Sequence, residues 1–397
     1  MIYPLIVLSS LICSFTDGYG TIATTKENLH ARIQQSEADI VMVARNGKVI
    51  YQSPLPMDAN IAIDSQELSH ACIGLAYAFL IEGKLLPCLD VPVKFYFPDS
   101  TDWQTGWHAS ITIKHLLSQT SGLVRDLLFT SDDRTCPIAS TCAPGTTFSD
   151  NGNNWRLLAT LVEKISGSTL SEFLQEKLFN PLKIQHVSWG TSTENPPIHL
   201  FLSPADWMTI GEFMRSGGWI SNKRYISEST MQLLLSPSQD FNPIYGQGWH
   251  LEFYNTSACW DDTLLDLYAK RDMDPLMIKS LATLSGREVH FTASPSATGP
   301  LNIQFAGMDP ILGAPGFANC LAKVTHNLGV PLCTFRAGKL KSFSALGQGG
   351  QQLFIYPQGG IVALRQKRLC NTNTNDMLED FPQILEKIAT EYDGWVD

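Results

Sequence analysis

Positive charge is in short supply in this sequence. Lys and Arg total 28 against 38 Asp and Glu, a formal charge of −10 that repels phosphate backbones and anionic headgroups and excludes nucleic acid as an expected partner. Metal-binding spacing is lacking too: nine cysteines form no C-x-x-C and nine histidines no H-E-x-x-H, so neither a metal nor another cofactor is expected. There is no internal repeat, no low-complexity tract and, past the first residues, no apolar run with the look of a membrane span. What is present is ordinary for a folded chain, with 44% hydrophobic and 17% charged residues over 397 positions. That length suits one large, two-lobed protein.

Met1 to Cys13 (MIYPLIVLSSLIC) is long enough for the apolar core of a signal peptide and too short for a spanning helix. Export is the expectation, with residues 1–20 as the signal peptide, the Gly18-Tyr19-Gly20 triplet as its end, and the protein secreted or periplasmic. A buried N-terminal strand is the alternative, since no Lys or Arg precedes the apolar run. Cys136 and Cys142 flank a short Pro-containing loop that a disulfide could close, and free buried thiols are the competing reading.

Asp39 to Ser53 reads as two strands around Asn46-Gly47, the pair best suited to a type I′ hairpin. Ala71 to Ile81 is apolar on every face and predicts a helix buried all round. Ahead of it, Asp64-Ser65-Gln66-Glu67 fits a capping box, which would start the helix near Ser65. Amphipathic helices are expected over Trp155 to Ile165, Thr169 to Leu178 and Pro204 to Arg215. A second hairpin, Gln351 to Tyr356 with Ile361 to Arg365, precedes a last helix from Met377 to Tyr392. Strands at both ends with helices between imply an α/β (α+β) fold with one sheet closed by the two termini. Residues 255–341 mix Pro, Gly and Ser with weak periodicity and read as an insertion.

Several segments carry a more specific message. Glu82-Gly83-Lys84-Leu85 leads to Leu89-Asp90-Val91-Pro92-Val93, and Ile111-Thr112-Ile113-Lys114-His115-Leu116-Leu117 to Ser118-Gln119-Thr120-Ser121-Gly122-Leu123. Pro144-Gly145-Thr146-Thr147-Phe148, Phe179-Asn180-Pro181-Leu182, Tyr245-Gly246-Gln247-Gly248-Trp249 and Gly347-Gln348-Gly349-Gly350-Gln351 follow in order. In this succession the chain resembles the β-lactamase-related serine hydrolases, the family of class C β-lactamases, DD-peptidases and esterases. The resemblance covers most of residues 39–254 and 343–392. It implies a β-lactamase/transpeptidase-like fold in which N- and C-terminal strands form an antiparallel sheet flanked by helices. Its lobes would be a sheet lobe at about 39–84 and 343–392, a helical lobe at about 85–240 and an insertion at about 255–341, all within a domain of residues 21–397.

Acyl transfer in such a family needs a serine at the start of the buried helix and a lysine one turn on to take its proton. Here Ser65 is followed three residues later by Leu68, and no lysine in the chain has a serine three residues before it. Counting back from Gly83 puts Gln66 at the serine position and Ser69 at the lysine position, which restores nothing. The resemblance places Asp150 where a tyrosine belongs; it reads as a base or, alternatively, as turn chemistry in Ser149-Asp150-Asn151-Gly152. Gln348, Gly349, Gly350 and Gln351 fall on the third motif, where two glycines admit either a ligand or a plain tight turn. Ser65 is in turn a nucleophile seeking a base, with His70 nearest, or a helix-start residue.

Two functions compete. One is a non-catalytic member of the family that binds a small molecule, a peptide or a cell-wall-type fragment. The other is an esterase, amidase or peptidase in which Ser65 works with a non-standard base.

Overall fold

The computed structural model describes residues 31, 38–53, 58–124, 140–190, 198–294, 302–305, 317–368, 381–382 and 384–385. The expected signal segment, Cys136 and most of the expected helix from Met377 to Tyr392 lie outside them. Strands, in chain order, are β1 (Ile40–Arg45), β2 (Lys48–Gln52), β3 (Ile63–Asp64), β4 (Ser188–Trp189), β5 (Leu200–Leu202), β6 (Trp219–Ile220), β7 (Lys223–Arg224), β8 (His250–Phe253), β9 (Ser257–Cys259), β10 (Val289–Ser294), β11 (Asn302–Phe305), β12 (Thr334–Arg336), β13 (Leu340–Gly347), β14 (Gln351–Tyr356) and β15 (Ile361–Gln366). The longer helices are α1 (His70–Glu82), α2 (Gly152–Ser166), α3 (Pro204–Arg215), α4 (Glu228–Leu234), α5 (Asp262–Lys270), α6 (Pro275–Ala282) and α7 (Phe317–Leu328).

The main sheet is antiparallel in the order β2-β1-β15-β14-β13-β8, so strands from the two ends of the chain do close one sheet. Asn46 and Gly47 both take positive φ, 50° and 78°, as the type I′ turn requires. Both faces of the sheet are covered, which explains why β1 has no polar alternation: Ile40, Met42 and Ala44 join the helical core, whereas Val41 and Val43 join the cluster of Phe381, Ile384 and Leu385. On the helical side α3 lies so close that a Cβ on Gly211 would sit 2.4 Å from Val362 Cγ1. Behind it runs α1, buried on every face from His70 to Leu80.

Described residues from between Ile244 and Phe335, leaving out β8 of the main sheet, build a second core. Sheet β11-β10-β9-β12 and helices α5 to α7 enclose Trp260, Tyr268, Leu281 and Leu321, with Trp260 Nε1 and Tyr268 Oη both donating to Leu332 O, at 3.0 and 2.7 Å. Among its described residues, the stretch that reads as featureless in sequence is therefore regular. Its two ends meet where Tyr254 N donates to Lys339 O at 2.9 Å and where Gly338 leaves no room for a Cβ beside Tyr254 O. Both connections run from paired strands, β8 and β13.

Candidate functional site

Three pieces meet at the start of α1: a one-turn 3₁₀ segment, Gln66–Ser69, the N-terminus of α2, and the turn between β13 and β14. The capping box expected from Asp64 and Glu67 does not form. Asp64 Oδ1 instead accepts from Gln66 N at 2.9 Å and Asp64 Oδ2 from Gln66 Nε2 at 2.6 Å, holding Gln66 at a φ of 49°. A side chain at positive φ has turned away from the helix path, so Glu67 no longer faces back along it. It reaches across the corner, where its Oε2 accepts from Gln348 N at 2.6 Å.

Ser65 is fully buried, and its Oγ accepts a hydrogen bond of 2.7 Å from Trp207 Nε1 on α3. It does not cap the helix. Ser69 Oγ is likewise taken, accepting from Leu200 N at 2.8 Å. Leu68 stays in the apolar core, so the position three residues after Ser65 offers no base. His70, the nearest histidine in sequence, stacks its ring on Trp155 with centroids 4.4 Å apart. Burial holds its pKa well below the usual value and the nearby His199 lowers it further, so it is neutral at pH 7.

The N-terminus of α2 is fixed by the Gln119-Thr120-Ser121 segment. Gln119 Oε1 accepts from Asn151 N at 3.0 Å and from Asn154 Nδ2 at 2.8 Å, while Ser121 Oγ donates to Asn154 Oδ1 at 2.6 Å. The helix N-cap is Asn151, whose side chain accepts from Asn153 N at 2.9 Å, and not Asp150. Asp150 is half-buried just outside the helix. Its charge is felt by Tyr245, a phenol whose pKa burial raises far above 10 and Asp150 raises further. Tyr245 itself packs edge-on against Phe148 and His250, both at 5.3 Å.

At the third motif Gly349 and Gly350 have φ of 74° and 78°. The fully buried Arg365 Nη1 donates to Gly350 O at 2.6 Å and to Gly349 O at 3.4 Å, drawing both carbonyls inward. Gln351 is buried and its side chain donates to Lys367 O, so within this motif it is Gln348 N that meets the helix start. Close by, Gly248 sits against the Trp155 ring and His70 O, which brings the Tyr245-to-Trp249 segment to the same corner.

The corner therefore gathers Glu67, His70, Trp155, Tyr245 and Gln348, of which sequence reasoning had named Gln348 as a binding residue and weighed His70 as the nearest base for Ser65. The Tyr-Gly-x-Gly-Trp pattern carried a signal for Tyr245; nothing local distinguishes Glu67. Among the described residues no group of three or more His, Cys, Asp or Glu is placed to hold a metal, and no helix is long and apolar enough to cross a membrane. Cys142 Sγ lies 3.1 Å from Thr147 Oγ1.

Comparison with known proteins bears on this arrangement. The sequence profile described as Beta-lactamase matches residues 28–257. No curated protein matches the chain. Among solved structures it is similar to a candidate beta-lactamase of Bacteroides dorei, with a TM-score of 0.61, 13% identity, and coverage of 92% of this chain and 97% of that one. It is also similar to a simvastatin synthase of Aspergillus terreus (TM-score 0.55, 14% identity, 91% and 96% covered) and to a class C beta-lactamase of Rhodobacter sphaeroides (0.54, 13%, 90% and 97%). At such identities the likeness is one of fold.

Proposed function

The chain belongs to the beta-lactamase family, its profile spanning residues 28–257, and from that premise we propose that this serine-hydrolase fold serves as a non-catalytic binding protein. One observation carries the reading: Ser65, at the helix start, is fully buried with its Oγ spent on Trp207 Nε1, and Leu68 stands where a base is required. A nucleophile needs an exposed oxygen and a group within about 3 Å to take its proton. His70 fails as a substitute, because its ring is laid flat on Trp155. Binding is supported by the retained scaffold, in which the β13–β14 turn, the α2 N-terminus and the Tyr245-to-Trp249 segment still meet at the start of α1. The ligand would be a small molecule, a peptide or a cell-wall-type fragment. Export through residues 1–20 belongs to the same proposal and rests on their apolar run.

The test is incubation with a fluorophosphonate or a labelled penicillin, followed by mass spectrometry. No adduct is expected. A stoichiometric adduct on Ser65, abolished by Ser65→Ala, overturns the non-catalytic reading and establishes the esterase, amidase or peptidase alternative.

A further inference from the structure

We infer that the second core acts as a latch on the corner: folded, it holds the segment that carries Asp150 in place, and opened, it lets that segment go. The inference deepens the binding proposal by naming how its site is regulated, and rests on that proposal for the corner being a ligand site.

Two short stretches carry the argument, because each divides its side chains between the second core and the corner. Ile244 is buried in the second core, while its neighbour Tyr245 packs against His250 in the corner. Thr147 lies under the end of α7, where a Cβ on Gly329 would come within 3.0 Å of Thr147 Cγ2 and 3.1 Å of Thr146 O. Its neighbour Phe148 meets Tyr245 edge-on, with ring centroids 5.3 Å apart. The four residues thus close a circuit of contacts that leaves the second core at Gly329 and returns to it at Ile244.

The two stretches are held to the rest of the protein unequally. The one after Tyr245 is pinned, since Gln247 N donates to Leu234 O at 3.0 Å and Gln247 O would lie 2.5 Å from a Cβ on Gly74 of α1. The other depends on backbone bonds from Gly145 N to Thr120 O, at 2.7 Å, and from Ser149 N to Gln119 O, at 2.8 Å. Asp150 comes next, then Asn151, the cap of α2. Gly329 stays above this segment only while α7 is docked, and α7 is docked by Leu321 and Ala322, both buried in the second core. Opening that core removes the cover from Thr147 and leaves Phe148 one partner, Tyr245. Parts of a fold open as cooperative units, and coupling between two sites runs equally in both directions. A ligand that orders the Asp150 segment therefore tightens the second core, and a loosened second core weakens the ligand's hold.

The experiment is amide hydrogen exchange on the full chain, comparing the parent with Trp260→Phe and the more severe Leu321→Ala, both inside the second core. The Gly145 and Ser149 amides are expected to quicken in step with those of β9 and β12, about fivefold for Trp260→Phe. Thr120, whose amide donates to His115 O, should keep its rate. Adding Phe148→Ala to Trp260→Phe should shrink the response of Ser149, because one of its two links is gone. Unchanged rates at Gly145 and Ser149 beside faster β9 and β12 overturn the inference, as the segment then opens by itself. An equal rise at Thr120 also overturns it, since the whole molecule is then opening. Should Leu321→Ala not fold, Trp260→Phe decides; should Trp260→Phe leave β9 and β12 unmoved, Leu321→Ala decides. None of these readings involves Ser65. An adduct on Ser65 would therefore defeat the non-catalytic reading alone, and unmoved amides this inference alone.

Discussion

At the scale of single residues the buried serine and histidines have measurable consequences. Ser65→Ala removes the acceptor of a fully buried indole N–H, and leaving such a donor unsatisfied costs about 1–3 kcal/mol. Urea unfolding should show that loss, and a gain in stability would mean the contact is not made. His250 is a second case: burial lowers its pKa to about 4 from an ordinary value of 6.5. The folded form holds the neutral ring, so the unfolded chain binds the additional proton as pH falls below about 6.5. Stability contributed by the neutral ring is present above that pH and is lost progressively down to about pH 4. His70 acts in the same direction. Replacing His250 with Phe should flatten the pH dependence of the unfolding free energy between those limits. An unaltered slope would show that His250 is not held neutral.

Among the elements, the junction of α1 and α4 rests on one carboxylate. Glu82, the last residue of α1, accepts from Ser227 N at 3.0 Å, from Ser227 Oγ at 2.6 Å and from Thr230 Oγ1, all at the start of α4. Burial alone would raise its pKa, but the hydrogen bonds of Ser227 and Thr230 outweigh that and hold it below 4.5. The stabilisation is present above the ordinary carboxylate range and disappears as pH drops through the lowered value. Glu82→Gln should cost about 1–2 kcal/mol at pH 7 and less at pH 3, followed by denaturant titration. A cost independent of pH would assign the effect to packing.

It is at this scale that the sequence was most readable. The Asn46-Gly47 turn, the all-apolar α1 and the Pro204-headed α3 follow from local chemistry, and their bounds came out almost unchanged. The glycine turn was readable as a place, not as an arrangement. That Glu67 would reach Gln348, that Trp207 would claim Ser65, and that Tyr245 and His70 would join the corner depends on contacts between distant segments, which periodicity does not encode. The second core escaped for another reason: apart from α7, its strands and helices are short and separated by Pro, Gly and Ser, so most of its windows are too short to show a period.

For the whole molecule the second core is the feature with the widest reach. Its α7-to-β12 turn touches the segment that carries Asp150, since a Cβ on Gly329 would lie 3.0 Å from Thr147 Cγ2. Trp260→Phe keeps the apolar bulk and removes the bond to Leu332 O, which should cost about 1 kcal/mol. Hydrogen exchange should quicken within β9 to β12 while β14 and β15 stay protected, and a uniform increase would mean that both cores open together.

The neck formed by Tyr254 and Lys339 also bears on the order of folding. Strands β8 and β13 are neighbours in space but are joined by the entire second core, a loop roughly twenty times longer than a hairpin's, which adds about 3 kcal/mol of closure entropy. That cost vanishes once the inserted residues have folded and brought their own ends together. The edge of the main sheet is therefore expected to wait on a structure that is not part of it. In refolding kinetics, Trp260→Phe should slow the folding limb as well as hasten unfolding, coupling the speed at which the sheet closes to a tryptophan outside it.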